Sequence, residues 1–278
     1  MTAQVKIITH SISPTGQEIV TFQLRYWRAI HAELMTHRVF SRNASSSRAI
    51  PVAKVVEQVR NDPAGPIHWG KNQPGMQANE QLTGAELEFA KYQWRSAAME
   101  AASMAEAMMQ QGLHKQVANR ILEPFQYISV VLTTTELDNW FELRDHPDAQ
   151  PEIRDLANRM KTELVKSSPR LLGMGEWHLP YITDSELETF DIVDLLKMSC
   201  ARCARVSYLT HDGKVPDFRK DFELFDRLVG SRPLHASPTE HQATPSGDKQ
   251  FHKNFRGWVQ FRKFVEATAF SGFELKIN

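Results

Sequence analysis

The feature that most restricts how this 278-residue chain can fold is a polar run from Thr36 to Arg48. Its thirteen residues include four cations or potential cations, four serines and one asparagine. The preceding segment, 26–35, has apolar residues at helical spacing, so we expect a helix that ends at the run and a loop that follows. Backbone N–H groups, hydroxyls and arginines together suit a polyanion such as a phosphate. The alternative is a solvated helix end with an ordinary polar loop, because serine and asparagine favour loops on conformational grounds.

Charge and composition argue against several classes of protein. Lys plus Arg and Asp plus Glu both number 33, and this balance disfavours a dedicated duplex-DNA binder, which usually carries a basic excess. No apolar stretch approaches the roughly 20 residues of a membrane span, and the first residues lack the pattern of a secretory signal. Only two cysteines are present, which indicates a reducing compartment. We therefore expect a cytoplasmic protein with no membrane or nucleic-acid partner.

Hydrophobic periodicity predicts an α+β fold. The segments 5–8, 18–24 and 126–132 have strand-like composition, and a turn at 13–16 separates the first two. Helical patterns cover 26–35, 86–111, 136–144, 152–165 and 220–229, while 67–75 resembles a surface loop and 171–187 is irregular. Strands and helices do not alternate regularly, so we do not expect a parallel doubly wound sheet.

The two cysteines, Cys200 and Cys203, form a CxxC motif. Such a motif can be a redox pair or half of a zinc site. No second CxxC exists, and no nearby pair of histidines has the spacing of metal ligands. The surrounding residues read as a buried helix that leads into a strand, and cysteine is among the most buried residue types. We expect both cysteines to pack in the core.

A second polar cluster lies at 235–241, where two histidines, Ser237, Thr239 and Glu240 occur within seven residues. Metal binding by His235, Glu240 and His241 is conceivable, but the spacing differs from the one-face HExxH arrangement. Ser237 is followed by proline, which fits a helix N-cap better than a nucleophile, and no GxSxG motif occurs. The chain also lacks a dinucleotide-binding glycine fingerprint, so any nucleotide cofactor binds without a Rossmann turn.

With both clusters in view, the chain resembles the flavin-dependent thymidylate synthases. The family signature x-H-R-x-x-S-x-N-x-x-S-x-R is matched at His37, Arg38, Ser41, Asn43, Ser46 and Arg48. Segments 118–124 and 137–150 resemble later family elements. Segments 203–207 and 235–241 resemble elements that normally precede the signature, so the chain looks circularly permuted. The resemblance implies one domain over 1–278, with the N-terminal-type elements at about 200–268 and a mixed or antiparallel sheet flanked by long helices.

The resemblance also implies an activity. Members of this family transfer a one-carbon unit from methylenetetrahydrofolate to C5 of dUMP, giving dTMP, with FAD as cofactor and NADPH as reductant. They are homotetramers with active sites at subunit interfaces. The organic chemistry belongs to flavin and folate, and the protein orients them. No metal ion is implied.

Residue roles follow from the same resemblance, position by position. Arg144 matches the arginine that orients and polarises the uracil, and it is the expected catalytic residue. Ser46, Arg48, Arg120 and Arg144 are the expected substrate-binding residues. The expected cofactor-binding residues are His37, Arg38, Asn139, Ser207, His235, Ser237 and Glu240, with His235 beside both flavin and folate. The alternatives from the residues alone are that Ser237 caps a helix, that Arg120 pairs with Glu123, and that Arg144 pairs with Glu142 or Asp145.

Several positions depart from the family pattern. Thr36 replaces the first arginine of the signature, and Glu33 and Ala44 stand where polar nucleotide contacts are common. Thr133 and Thr135 stand about where the family has asparagine and arginine near the flavin. These differences leave open a related C5 modification, such as hydroxymethylation, of dUMP or another pyrimidine nucleotide. A non-catalytic nucleotide-binding protein on the same fold is also left open.

Overall fold

A five-stranded sheet forms the centre of the computed structural model, which describes residues 3–207 and 217–271. Its strands are β1 (Gln4–Ile12), β2 (Glu18–Trp27), β3 (Ser41–Ala44), β4 (Tyr127–Thr134) and β5 (Arg170–Leu171). They are ordered β3-β4-β2-β1-β5, and only β1 and β5 are parallel. The expected mixed, largely antiparallel sheet is confirmed.

Helices surround this sheet on both faces. They are α1 (His31–Leu34), α2 (Val52–Asn61), α3 (Gly84–Gln110), α4 (Lys115–Ala118), α5 (Asp138–Arg144), α6 (Pro151–Lys166), α7 (Asp184–Thr189), α8 (Ile192–Ala204), α9 (Phe218–Leu228) and α10 (Phe261–Ser271). Short 3₁₀ segments cover Arg28–Ile30, Asn119–Phe125, Arg205–Ser207 and Ser237–Glu240. The remaining strands are β6 (Ala243–Pro245), β7 (Phe251–His252), β8 (Phe255–Arg256) and β9 (Trp258–Gln260). The α+β class is confirmed.

The two faces of the sheet differ in polarity. On one face, alternate residues of β2 and β4 such as Phe22, Leu24 and Val130 are fully buried against the apolar side of α6. Burying a large apolar side chain stabilises the fold by about 1.5–3 kcal/mol. On the opposite face, the buried residues include the hydroxyls Thr21 and Thr133. The sheet therefore has an apolar face and a face with buried hydrogen-bonding groups.

A second core lies among the helices that follow β3. Val52, Val55, Val56 and Val59 on α2 pack with the small residues of α3, which lets the two helices approach closely. Helix α3 has 27 residues, but among the described residues no helix is both long and apolar enough to cross a membrane.

Some sequence-based boundaries are wrong for identifiable reasons. Residues 26–27, predicted as helix, complete β2, because β2 and β4 pair as far as Trp27 and Tyr127. Part of the expected serine-rich loop is strand β3, paired with β4. The irregular segment 171–187 ends earlier than expected, since Thr183 and Glu186 form a capping box that starts α7. The strand expected after Cys203 begins instead as a 3₁₀ turn at Arg205–Ser207, and 208–216 lie outside the described residues.

A buried ion cluster joins α7, α8 and α9. The Arg202 guanidinium donates to Glu186 at 2.6 Å and 2.8 Å and to Asp221 at 2.9 Å, and Arg205 also contacts Asp221 at 2.6 Å. Burial opposes ionisation of Glu186, but hydrogen bonds from Arg202 and Thr183 lower its pKa to about 2. Arg202 therefore pairs with the partly buried Glu186 and, together with Arg205, with the fully buried Asp221.

Replacing Arg202 with Met should destabilise the protein by about 3–5 kcal/mol, because the partly buried Glu186 loses its counter-charge and the fully buried Asp221 keeps only Arg205. The free energy of unfolding in urea measures the effect. Lys91→Met is the matched control, since Lys91 pairs with Glu88 on the exposed face of α3 at 3.0 Å. That change should cost less than about 1 kcal/mol. Equal losses in the two variants would contradict a structural role for the cluster.

Candidate functional site

Arg144 lies at the centre of a tight polar cluster at the end of α5. Its Nε donates to His37 Nε2 at 3.1 Å, one terminal nitrogen donates to Glu33 at 2.9 Å, and the other donates to Thr36 at 3.3 Å. Asp145, an alternative partner considered from the sequence, pairs with Lys161 instead. The structure therefore joins Arg144 to the signature residue His37 across 107 positions of sequence.

The His37 ring is held by aromatic neighbours. It stacks on Phe40 with ring centroids 5.5 Å apart and meets the Trp140 ring edge-on at 4.8 Å. Burial lowers the pKa of His37, and the nearby cations Arg144 and Arg42 lower it further. Nε2 can accept the Arg144 hydrogen bond only if the imidazole is neutral with its proton on Nδ1. This arrangement orients the Arg144 guanidinium rigidly.

A second cluster gathers cations around the Glu123 carboxylate. One Glu123 oxygen accepts from Arg120 at 2.8 Å and from the Ser47 hydroxyl at 2.9 Å, and it forms an ion pair with Arg28 at 3.1 Å. Asn119, which is fully buried, donates to the Ser47 carbonyl at 2.7 Å and fixes the loop there. The pairing of Arg120 with Glu123 considered from the sequence is therefore present. It also places Arg120 beside the serine-rich loop.

The predicted phosphate residues lie around this second cluster. Arg48 is exposed, and its backbone N–H donates to the Ser46 hydroxyl at 3.3 Å. Two arginines, Arg28 and Arg120, thus lie against one carboxylate, and Arg48 follows Ser47 in the loop that donates to it. The local excess of positive charge suits a divalent anion. The sequence did not indicate Arg28 as a site residue, because it is the end of strand β2 that brings Arg28 to Glu123.

A cleft of about 1120 Å³ lies beside the first cluster. Glu33 and Arg144 lie in its wall, together with Trp27. Trp27 is the last residue of β2 and directly precedes Arg28, which contacts Glu123. The cleft wall and the second cluster therefore follow each other along the chain here, although the side chains around Glu123 do not line the cleft.

The turn at Ser237–Glu240 lies against the signature segment within the same chain. Gln260 Nε2 donates both to the Ser41 hydroxyl at 2.9 Å and to the Glu240 carbonyl at 2.8 Å. The Glu240 carboxylate pairs with Arg262 and also raises the pKa of Arg42, although burial lowers that pKa overall. Segments about 200 positions apart in sequence are thereby brought together.

The remaining predicted residues are less tightly grouped. Arg38 and Asn139 are exposed, and Asn139 directly precedes Trp140, which contacts His37. His235 is exposed, with its backbone N–H bonded to the Leu228 carbonyl at 2.9 Å. Ser207 ends a 3₁₀ turn. Ser237 does not cap its 3₁₀ segment, because Ala236 occupies the N-cap position and no side chain caps the turn.

A buried chain of hydrogen bonds crosses the polar face of the sheet. Ser11 is bonded to His178 at 2.9 Å, His178 to Thr21 at 2.8 Å, Thr21 to Thr133 at 2.7 Å, and Thr133 to His241 at 2.9 Å. His241 Nε2 has no hydrogen-bond partner in the part of the chain that the structure describes. Burial lowers the pKa of both histidines to about 3. The Thr133 hydroxyl is thus engaged on both sides in this series of hydrogen bonds.

These placements also bear on the metal and cysteine hypotheses. His241 is bonded to Thr133 and Glu240 is paired with Arg262, so the cluster at 235–241 does not converge on one point. Within residues 3–207 and 217–271, no three His, Cys, Asp or Glu side chains are arranged to hold a metal ion. Cys200 and Cys203 are fully buried, as expected, and burial raises the pKa of both thiols.

Comparison with known proteins identifies relatives. The sequence model of the thymidylate synthase complementing protein family matches residues 6–170, which is more than half of the chain. The match includes the signature, Arg120 and Arg144, and it ends before 200–268, so the circular permutation stays a prediction. Among curated proteins, none matches the chain significantly.

Two solved structures of one enzyme are similar in fold. The UMP/dUMP methylase PolB from Streptomyces cacaoi, bound with 5-Br dUMP, is 18% identical and has a TM-score of 0.50; the match covers 59% of this chain and 90% of that one. The same enzyme bound with 5-Br UMP is 18% identical over 59% of this chain and 89% of that one, with a TM-score of 0.49. At this identity the likeness concerns the fold alone.

The buried histidines should make the protein sensitive to acid. Below the unfolded pKa of about 6.5, the unfolded chain binds protons that folded His178 and His241 do not, so stability falls as pH drops toward 3. Each histidine contributes about 1.4 kcal/mol per pH unit in this window. In His241→Asn, the amide still reaches Thr133, and the slope between pH 6 and 4 should decrease by about that amount.

Urea unfolding at pH 7, 6, 5 and 4 measures how stability depends on pH in the unsubstituted protein and in His241→Asn. The control is His114→Asn, which replaces an exposed histidine at the N-cap of α4 with another good capping residue. A slope for His241→Asn equal to that of the unsubstituted protein would show that His241 titrates normally in the folded state.

Proposed function

This chain belongs to the thymidylate synthase complementing protein family, and we propose that it is an enzyme that transfers a one-carbon unit to C5 of dUMP, giving dTMP. Methylenetetrahydrofolate is the proposed donor, NADPH the reductant and FAD the cofactor. The observation that carries the proposal is the placement of Arg144. It lies in the wall of a large cleft, where three partners fix its guanidinium.

In this proposal Arg144 acts on the pyrimidine ring. Negative charge accumulates on the ring oxygen and nitrogen as C5 becomes nucleophilic, and a fixed guanidinium stabilises that charge. His37, Thr36 and Glu33 hold the guanidinium, so little reorganisation is needed when the charge develops. The planar fork can also address two ring atoms at once.

The cation cluster takes the phosphate of the nucleotide. Arg28 and Arg120 offer two positive charges against the single negative charge of Glu123, and the exposed Arg48 adds a third from the adjacent loop. A phosphate monoester carries a charge of about −1.5 to −2 at pH 7, which balances this excess. Ser46 lies in the same loop and adds a hydroxyl donor. In this proposal the nucleotide places its base in the cleft at Arg144 and its phosphate on the cluster.

The exposed polar groups near the signature fit a flavin nucleotide. Arg38 offers a solvent-facing cation for the pyrophosphate, and Ser237 and Glu240 lie against the signature at Ser41 and Arg42. His37, Asn139, Ser207 and His235 complete the proposed set, with His235 also facing folate. Bound flavin would supply the redox chemistry, while these residues bind it and hold it beside the substrate.

We place these sites at subunit interfaces of a homotetramer in the cytoplasm. Phe89, Tyr92 and Met104 on α3 are 60%, 67% and 59% exposed, and this apolar surface supports association with other copies. The two free thiols, Cys200 and Cys203, fit a reducing compartment.

One observation favours a second candidate function. Glu33 forms an ion pair with Arg144 at 2.9 Å and lies in the same cleft, so a carboxylate acceptor stands beside the proposed base-binding donor. A carboxylate can accept from an exocyclic amino group as well as from a ring N–H. The second candidate is therefore a related C5 modification, such as hydroxymethylation, on dUMP or another pyrimidine nucleotide.

The decisive variant is Arg144→Lys. Lysine keeps the charge but lacks the planar fork, so formation of dTMP from dUMP should fall roughly 10²- to 10³-fold. The flavin absorption band and NADPH oxidation should be retained. Single-turnover assays on the reduced enzyme measure the chemical step, with Arg60→Lys as the control, since Arg60 pairs with Glu106 and neither residue lines the cleft.

The outcomes separate the hypotheses. Normal product formation by Arg144→Lys would remove Arg144 from the mechanism. A hydroxymethyl product, or transfer to a different pyrimidine nucleotide by the unsubstituted protein, would support the second candidate. Nucleotide binding without flavin or any transfer would indicate a non-catalytic protein.

The phosphate site can be tested through Arg48. Removing a charge-assisted contact costs about 1.5–3 kcal/mol, so Arg48→Ala should weaken dUMP binding roughly tenfold or more while FAD is retained. Calorimetric titration measures the affinity. Arg60→Ala is the control, since Arg60 is a half-exposed arginine paired with Glu106 on the neighbouring helix α3. Unchanged affinity in Arg48→Ala would exclude the serine-rich loop from the phosphate site.

A further inference from the structure

Residues 69–82, of which 69–75 fall in the expected surface loop, form a hairpin. The Leu82 N–H donates to the Trp69 carbonyl and the Lys71 N–H donates to the Glu80 carbonyl, both at 2.8 Å. At Gly70 an added Cβ would lie 2.2 Å from the Ala78 Cβ, so the stem closes too tightly for any side chain there. We name residues 69–82 the cleft hairpin.

One side of the cleft hairpin is a wall of the cleft that contains Arg144. Met76, Gln77, Ala78 and Asn79 line the cleft, and residues 147–158 form the facing wall. The Gln77 side chain donates to the Asp148 carbonyl of that facing wall at 3.2 Å. Gln77 therefore bridges the two walls, while the exposed Asn79 amide contributes an uncharged donor and acceptor.

The base of the cleft hairpin is anchored independently of its tip. The Ile67 N–H donates to the buried Glu152 carboxylate at 2.9 Å, and Trp69 packs edge-on against Trp94 with centroids 6.3 Å apart. These contacts fix where the hairpin stands relative to the start of α6. Substitutions at the tip should therefore leave the anchoring of the hairpin intact.

We propose that Gln77 and Asn79 determine which pyrimidine base the cleft accepts. This inference rests on the proposed function, because it takes the cleft as the place of the base. Uracil presents carbonyl acceptors on either side of an N–H donor, whereas cytosine presents an amino donor beside a ring acceptor. Arg144 and Glu33 address one edge of the ring from the inner wall. The Gln77 amide oxygen and the Asn79 amide address the base from the hairpin, while the Gln77 nitrogen holds the Asp148 carbonyl.

The experiment compares Gln77→Ala and Asn79→Ala with Asn72→Ala. Asn72 is an exposed asparagine on the same hairpin and does not line the cleft, so it controls for any loss of hairpin structure. Calorimetric titrations with dUMP and dCMP give affinities, and steady-state assays give KM and kcat. Removing one neutral hydrogen bond should weaken binding of the preferred nucleotide about three- to tenfold. The preference between dUMP and dCMP should shrink, with kcat and the melting temperature nearly unchanged, while Asn72→Ala should match the unsubstituted protein.

The results distinguish this inference from the proposed function. Affinities for both nucleotides in Gln77→Ala and Asn79→Ala that equal those of Asn72→Ala would overturn the inference while leaving the proposed function standing. If the unsubstituted protein binds dUMP but transfers no carbon, and these variants still lose affinity, the inference stands and the proposed function fails. A protein that binds neither dUMP nor dCMP would overturn both.

Discussion

The pairing of the short edge strand β3 with β4 is the constraint on which the site depends. Ser41 pairs with Thr133 and Ala44 with Val130, which fixes the register of the polar signature on the sheet. The residues before β3 are thereby delivered to Arg144, and the residues after it to Glu123. A slip of one residue would turn the buried Ser41 and Asn43 outward and separate both clusters from their partners. The four residues of this edge strand thus position the Arg144 cluster at one end and the Glu123 cluster at the other.

Elements with strong local patterns could be predicted from the sequence, and elements that depend on distant partners could not. The amphipathic helix α6 and the strands β1, β2 and β4 were found from periodicity. Helix α2 was missed although Val52, Val55, Val56 and Val59 follow helical spacing. Strand β3 carries only a serine-rich sequence, and its conformation comes from hydrogen bonds to a strand more than 80 residues later.

The candidate site shows the same division. Its residue types came from a family resemblance, whereas the grouping of His37 with Arg144 and Glu33 is tertiary and appears in no local pattern. The pairing of Arg120 and Glu123, three residues apart on one helical segment, was visible in the sequence. The contribution of Arg28 was not, because a strand end delivers it. The polar face of the sheet was likewise hidden, since two neutral buried histidines look like any others in a sequence.

The adjacency of Trp27 and Arg28 has a consequence for the length of ligand that can bind. Trp27 ends the pairing of β2 with β4, while β1 pairs with β2 only as far as Arg25. The cleft residue Trp27 and the cluster residue Arg28 are therefore held relative to each other by the end of a strand and one peptide bond. For a ligand that binds at both places, the length of the link between its ring and its anion would be a property on which the protein selects.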